Sequence, residues 1–407
     1  MTGLSQTTTD ELSVNRPGST AAEEHMEEAP AFSRVFAEVL KHGPIARIDV
    51  SNRTGLSQAG VTKAVNRLIQ HGLITTHDTM PSASPGRPVQ PISVNEEALL
   101  AIGVTVRVNE IFGVVTTLRA NVLHSVHRQL ASIAVADVME SIADVVQELT
   151  DQLGADAERI IGAGIAFSGD VDREHGVVRA SARLNWTHVH VRELLRDRFD
   201  FPVIVENDVR ALTIAEEWFG IGVDTSSFAI VTIGAGIGCG VYVNGDVVGG
   251  AHGVAGELGH LPLAGVDAVC PCGRRGCVEA VASSSAILQS IRAAKLDPLL
   301  TMREAVELAR SGDADAGFAF ERAGSMIGLA MATLANLVGP SVILLAGESV
   351  TNYDLFERRV RESFDEHAFG SAAECTIVTR AHTFEDWARG SASSVIRSMV
   401  DRTLTEG

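Results

Sequence analysis

Three of the five cysteines in this chain, Cys270, Cys272 and Cys277, fall within eight residues, and His260 stands ten residues before the first of them. Three thiolates and one imidazole complete a closed tetrahedral zinc shell, a constraint that pins a long loop to one point. Gly273 and Gly276 let the short span between Cys272 and Cys277 fold back on a single ion. Solitary cysteines and a lone histidine would be read as buried filler. The cluster is instead read as a structural Zn2+ site formed by His260, Cys270, Cys272 and Cys277. Cys239 and Cys375 stand apart and are expected to be structural.

With 407 residues, 45% of them hydrophobic, the chain is long enough for two or three domains with sizeable cores. No apolar run approaches the roughly 18 residues of a membrane span. The opening MTGLSQTTTDELSV has neither a basic region nor an apolar core, so it does not read as a signal peptide. Clustered cysteines without evident disulfide partners suit a reducing compartment, and the expectation is a cytoplasmic protein. A net charge of −18 argues against nucleic-acid binding until its distribution is considered. Residues 30–95 carry seven Lys and Arg against three acids, a basic island in an acidic chain. Residues 1–30, rich in Thr, Ser and Glu, read as a disordered tail.

Apolar residues at Phe32, Val35, Phe36, Val39 and Leu40 have helical spacing, ended by His42-Gly43-Pro44. A second short helix is predicted from about Arg47 to Arg53. Thr54-Gly55-Leu56 then forms a tight turn, and Ser57 caps a third helix over Gln58–Gln70. That helix buries Val61, Val65 and Leu68 and presents Gln58, Thr62, Lys63, Asn66 and Arg67 on its other face. Hydrogen-bonding side chains near a helix N-terminus are what base edges in a major groove require, so Gln58 and Thr62 are the base-reading candidates. Lys63, Arg67 and Arg47 are assigned to phosphates, which position a protein without specifying sequence. A wing follows, with one strand starting near Ile74, a loop MPSASPGRPVQ, and a strand over Pro91–Val94. Arg87, between Gly86 and Pro88, is placed at a stiff tip suited to a minor groove. Residues 31–95 thus read as a winged helix-turn-helix domain; a three-helix protein-interaction module is the plainer alternative.

The stretch from Gly253 to Glu279, GVAGELGHLPLAGVDAVCPCGRRGCVE, resembles the zinc-and-sugar motif of the ROK family, close to G-x-x-G-E-x-G-H followed by C-x-C-G-x-x-G-C-x-E. GLSQAGVTKAVNRLIQHGLI, with the later Gly86-Arg87-Pro88, resembles the DNA-binding half of that family's regulators. The resemblance covers about residues 31–400. It implies an α/β architecture in which the winged helix-turn-helix precedes a two-lobed actin-like (ribonuclease H-like, sugar-kinase) ATPase fold. That body would span 96–407, with lobes at about 96–205, joined by the C-terminal helix, and 206–400. Glu257, His260 and Glu279 match sugar-contacting positions. So do Asn207 and Asp208, where the family's kinases place the sugar-binding Asn and the catalytic base. Asn207-Asp208 also has the form of a plain helix cap.

The phosphate machinery departs from the pattern. ROK kinases carry D-x-G-G-T in the first strand-turn-strand; here Thr105 stands for the Asp, Arg107 and Val108 for the glycines, and Asn109 for the Thr. Thr105 removes an anionic metal ligand, and side chains at 107 and 108 obstruct backbone approach to phosphates. Ser168-Gly169-Asp170 keeps only the central glycine of P-G-P, and Arg210 replaces a frequent Asn. Ala235 replaces the Thr of G-T-G-I-G, and Glu348 stands where a second glycine is usual. Trp186 reads as core in preference to a sugar-stacking platform. Efficient kinase activity is not expected.

The expectation is a homodimeric, sugar-responsive transcription regulator, a repressor of carbohydrate-metabolism genes on a near-palindromic double-stranded operator, with a tetramer left open. A bifunctional sugar kinase with a fused DNA-binding domain is the enzyme alternative. A regulator sensing a phosphorylated or non-sugar ligand, motivated by Arg107 and Arg210, is the third.

Overall fold

The computed structural model describes residues 22–78, 89–265 and 268–402, the side chains of 22–30 and 402 excepted. Helix α1 (Ala22–His42) begins inside the segment expected to be a disordered tail. That expectation is corrected for residues 22–30, whose Ala, Glu and Met are strong helix formers. Residues 1–21 lie outside the described residues.

Helices α2 (Arg47–Thr54) and α3 (Gln58–Gln70) meet the sequence expectation closely. Gly55 adopts φ +69° and its N–H bonds Ser51 O, which closes α2. Ser57 accepts the Gly60 N–H at 3.1 Å and opens α3. Strands β1 (Ile74–Thr76) and β2 (Ile92–Val94) pair antiparallel, with Ile74 opposite Val94. The loop between them, with Arg87, falls largely outside the described residues.

The first lobe is a five-stranded sheet built from β3 (Leu100–Val106), β4 (Glu110–Thr117), β5 (Val122–Gln129), β6 (Ile160–Phe167) and β10 (Val203–Asn207), in the order β10-β6-β3-β4-β5. Helix α4 (Val135–Leu153) packs on one face. A small sheet of β7 (Asp170–Asp172), β8 (Val177–Ser181) and β9 (Trp186–Val189) was not anticipated from sequence. Helix α5 (Val191–Leu195) follows β9.

Helix α6 (Asp208–Phe219) leads to the second lobe, whose sheet holds β11 (Ser227–Ile233), β12 (Ile237–Val243), β13 (Asp246–Val247), β14 (Val342–Ala346) and β15 (Thr376–Thr379). Its order, β13-β12-β11-β14-β15, repeats the first sheet: an antiparallel meander of three strands, then two parallel additions. The two sheets are a structural duplication, the two-lobed actin-like arrangement. Helices α7 (Glu279–Ala282), α8 (Ser284–Lys295), α9 (Met302–Arg310), α10 (Ala314–Val338) and α11 (Glu357–His367) surround the second sheet.

Helix α12 (Phe384–Arg402) returns to the first lobe. Gly103 and Gly164 pair in register on β3 and β6, and a Cβ on either would come within 2.0 and 2.1 Å of the Ala388 and Ser391 carbonyl oxygens. The contact therefore depends on bare glycines under small helix residues. One apolar cluster runs from Phe36, Leu40 and Val65 through Leu118, Trp218 and Trp387 to Leu344, so the N-terminal module is docked on the body.

Candidate functional site

The two faces of α3 form as the spacing implied. Val61, Ala64, Val65 and Leu68 are buried, while Gln58, Thr62, Lys63, Asn66 and Arg67 are exposed; Arg47 is half-buried on α2. Arg67 is partly recruited inward, its guanidinium 5.2 Å from the Phe32 ring centroid. Arg34 and Ser51 tie the turn between α2 and α3, bonding the Thr54 and Leu56 carbonyls.

This module is anchored to the body by charge as well as by apolar contact. Lys41 at the end of α1 lies 3.2 Å from Glu217 and 4.5 Å over the Trp218 ring, both on α6. Arg119 donates to Gly43 O at 2.7 Å, and Arg53 reaches Asp224 at 3.3 Å. Glu217 is almost wholly buried and also receives Arg397 of α12 at 3.1 Å.

A cleft of about 460 Å³ lies between the lobes, within the size range of small-ligand sites. It brings together Asn207, Asp208, Glu257, His260 and Glu279, which span more than seventy residues of sequence. Asn207 caps α6 by accepting the Arg210 N–H at 3.0 Å, and its Nδ2 donates to Gly169 O at 2.9 Å. It joins the 168–170 loop to the helix, so its amide is engaged at both ends. Asp208 accepts the Val209 N–H at 2.8 Å. Burial pushes its carboxyl up to about 6, against the Val209 bond and the charges of Arg107 and Arg183, which favour the anion. Glu257 keeps an exposed carboxylate in the cleft. Glu279 is buried and accepts the Ile237 N–H at 3.0 Å, linking the cysteine loop to the second glycine loop, residues 234–238, where β11 turns into β12. Arg210 is held by Glu206 at 3.3 Å.

Arg183 is a cleft residue that the sequence reading missed. It lines the cavity beside Gly236, whose Cβ position would lie 2.5 Å from its Nη2. Nothing in the local run Ser181-Ala182-Arg183-Leu184 marks it; only the fold brings it there. Trp186 is core: it is 5% exposed and its indole N–H donates to Ile133 O at 2.7 Å.

His260, Cys270, Cys272 and Cys277 converge, with all four candidate ligand atoms within 4.8 Å of one another. Cys272 Sγ and Cys277 Sγ stand 3.8 Å apart, and Cys270 Sγ lies 3.6 Å from His260 Nδ1. Thiolates about 2.3 Å from a tetrahedral zinc stand about 3.8 Å from each other, so the donor set fits a metal ion. Gly273 at φ +83° and Gly276 at φ +73° turn the loop, and Val269 bridges Arg275 to close it. The other histidine nitrogen, Nε2, faces Glu257 Oε2 at 3.6 Å. The His/Cys donor cluster and the cleft therefore share one imidazole.

The pattern of the ROK family matches residues 101–397. The xylose repressor of Bacillus subtilis (strain 168) is 26% identical over 335 residues, covering 82% of this chain and 86% of the relative. The DNA-binding transcriptional dual regulator NagC of Escherichia coli (strain K12) is 26% identical over 381 residues, covering 91% and 93%. Among solved structures, a ROK family transcriptional regulator described as a homolog of the E. coli MLC protein aligns with a TM-score of 0.80 at 24% identity, over 94% of this chain and all of that one. A ROK family glucokinase from Streptomyces griseus, in complex with glucose and AMPPNP, aligns with a TM-score of 0.63 at 24% identity, over 72% of this chain and 98% of that one. With the match spanning both lobes and most of α12, the chain belongs to the ROK family.

Proposed function

We propose that this chain is a DNA-binding transcription regulator of carbohydrate-metabolism genes, acting as a repressor in the cytoplasm, whose interlobe cleft senses a sugar or sugar derivative. The observation that carries this reading is α6. Its N-terminus, Asn207 and Asp208, lines the cleft, and its C-terminal turn, Glu217 and Trp218, grips Lys41 of the helix-turn-helix module. Twelve residues of helix make a rigid strut about 18 Å long between the two. The naming of one relative as a repressor and of another as a DNA-binding transcriptional dual regulator supports the reading as a DNA-binding regulator.

In this account Gln58 and Thr62 read base edges, while Arg47, Lys63 and Arg67, with Asn66 on the same face, hold the backbone. Arg87 enters a minor groove. A homodimer sets two recognition helices about 34 Å apart on a near-palindromic operator. Asp208, Glu257, His260 and Glu279 hydrogen-bond ligand hydroxyls, with Asn207 holding the loop beneath them. Lobe closure on the ligand shifts α6 and with it the docked module. A coupling of about 1.4 kcal/mol changes operator affinity tenfold.

A structural Zn2+ at His260, Cys270, Cys272 and Cys277 ties His260 and Glu279 to one rigid loop and leaves no open coordination position. The chain is not expected to be a kinase. Thr105, buried in β3, supplies no anion for a metal, and Arg107 carries a side chain where backbone must meet phosphate.

One observation favours a second reading. Arg183 projects into the cleft beside Asp208 and has no hydrogen bond or ion pair among the described residues. An acidic group on the ligand would be its natural partner, as in a sugar acid or phosphate.

Genomic fragments captured by the purified protein, with and without a panel of neutral and acidic sugars at stated salt, test the proposal. Enrichment of one palindrome, lost with a single sugar, is expected. No enrichment under any condition, together with sugar-dependent ATP turnover, would replace it with the bifunctional kinase.

A further inference from the structure

The backbone cradle of the second glycine loop holds a carboxylate from the chain itself. Glu348 Oε1 accepts the Ala235 N–H at 3.0 Å. A Cβ built on Gly234 would lie 2.4 to 2.6 Å from three carboxyl atoms of Glu348, so the group rests against a bare Cα. Gly347, at φ +98°, turns the chain out of β14 and delivers Glu348 to this position. Its φ is one that residues other than glycine rarely adopt.

The opposite wall of the cleft supplies a cation. Arg107 Nη1 lies 3.6 Å from the same Glu348 oxygen. Its guanidinium is held between aromatic faces of α12, 4.6 Å from the Phe384 centroid and 5.5 Å from that of Trp387. One carboxylate oxygen thus takes a backbone N–H from the second lobe and an arginine from the first. A backbone N–H in a glycine turn with a facing guanidinium is the equipment of an oxyanion site.

We propose that Glu348 is a resident anion: it fills the cleft's phosphate cradle, excludes nucleotides by occupancy and charge, and through Arg107 ties the two lobes across the cleft. The cradle is occupied rather than dismantled. Arg107, which obstructs phosphates when read from sequence alone, serves here as the counter-ion of an internal substitute. Removing Glu348 leaves Ala235 N–H and Arg107 without their partner and creates a site for a free oxyanion of the phosphate class. The proposal does not depend on the DNA-binding reading.

The test is calorimetric titration of the full-length protein with inorganic phosphate and with Mg2+–AMPPNP. Wild type is expected to show no saturable binding at millimolar ligand. Glu348→Ala should bind phosphate at least tenfold more tightly than wild type, and adding Arg107→Ala should abolish the gain. Glu348→Gln keeps the shape and the Ala235 contact but loses the charge, and should gain at least threefold. Should the alanine variant fail to fold, the glutamine variant alone decides. Equal binding by wild type and variants, or no gain in any folded variant, overturns the proposal.

Discussion

Lys41 Nζ lies 3.2 Å from Glu217 Oε1 although the two residues are 176 positions apart. Around this pair the helix-turn-helix module, α6 and α12 meet, because Arg397 approaches the other Glu217 oxygen at 3.1 Å. Burial raises the Glu217 carboxyl above its ordinary range, opposed by the charges of Arg397 and Lys41. The two cations therefore hold an otherwise unfavourable buried anion in place.

Lys41→Met should keep the helix stem and remove the charge. Operator affinity without ligand is expected to stay within about threefold. The ligand-driven change should shrink at least tenfold, a loss of about 1.4 kcal/mol of coupling. Fluorescence anisotropy on labelled operator, with and without the effector, measures both. An undiminished ligand effect would remove α6 from the account.

Glu257→Gln should weaken effector binding by about tenfold to a hundredfold, since a hydrogen bond to a charged acceptor contributes about 1.5–3 kcal/mol. Operator binding without ligand should be unaffected. Loss of both would indicate a folding defect, which circular dichroism would reveal.

Gln58→Ala and Thr62→Ala should relax base preference at particular operator positions at a cost of about 1–3 kcal/mol each. Lys63→Ala should weaken binding across all sequences and lower the salt slope by about one. A base-specific effect from Lys63→Ala would reverse these assignments.

Cys272→Ser should release the metal and lower thermal stability. Elemental analysis is expected to find one zinc per chain in the wild type and less than half of that in the variant. A variant that retains full metal content and melting temperature would refute the assigned ligand set.

Asp208 has a folded value of about 6 against an ordinary 3.8. Its pKa is raised, so the native state keeps a proton that the unfolded chain has already lost between about pH 4 and pH 6. Stability therefore falls as pH rises through that window, by up to about 3 kcal/mol. Asp208→Asn should flatten this slope. Urea unfolding of both proteins from pH 4.5 to pH 7.5 is the measurement, and coincident profiles would show that Asp208 is not perturbed.

What the sequence by itself determined is local or carried by spacing. Ser57 and the apolar run Val61, Val65, Leu68 delimited α3 to its end residues, because capping and helical periodicity act within a few positions. Cys270, Cys272 and Cys277 announced their convergence because only a short turn separates them, and the match to a family pattern extended that legibility to Asp208 and Glu257. The short strands β7, β8 and β9 and the strand β15 escaped because three to five residues carry too little periodicity. The tertiary structure alone decided that Arg183 faces the cleft, that Asn207 is already bonded at both ends, and that Glu348 meets Ala235 across 113 positions. Arg183 meets Gly236 because the two duplicated sheets face each other, Asn207 meets Gly169 because β10 lies beside β6, and Glu348 meets Ala235 because β14 lies beside β11; each geometry arises from packing among residues remote in sequence.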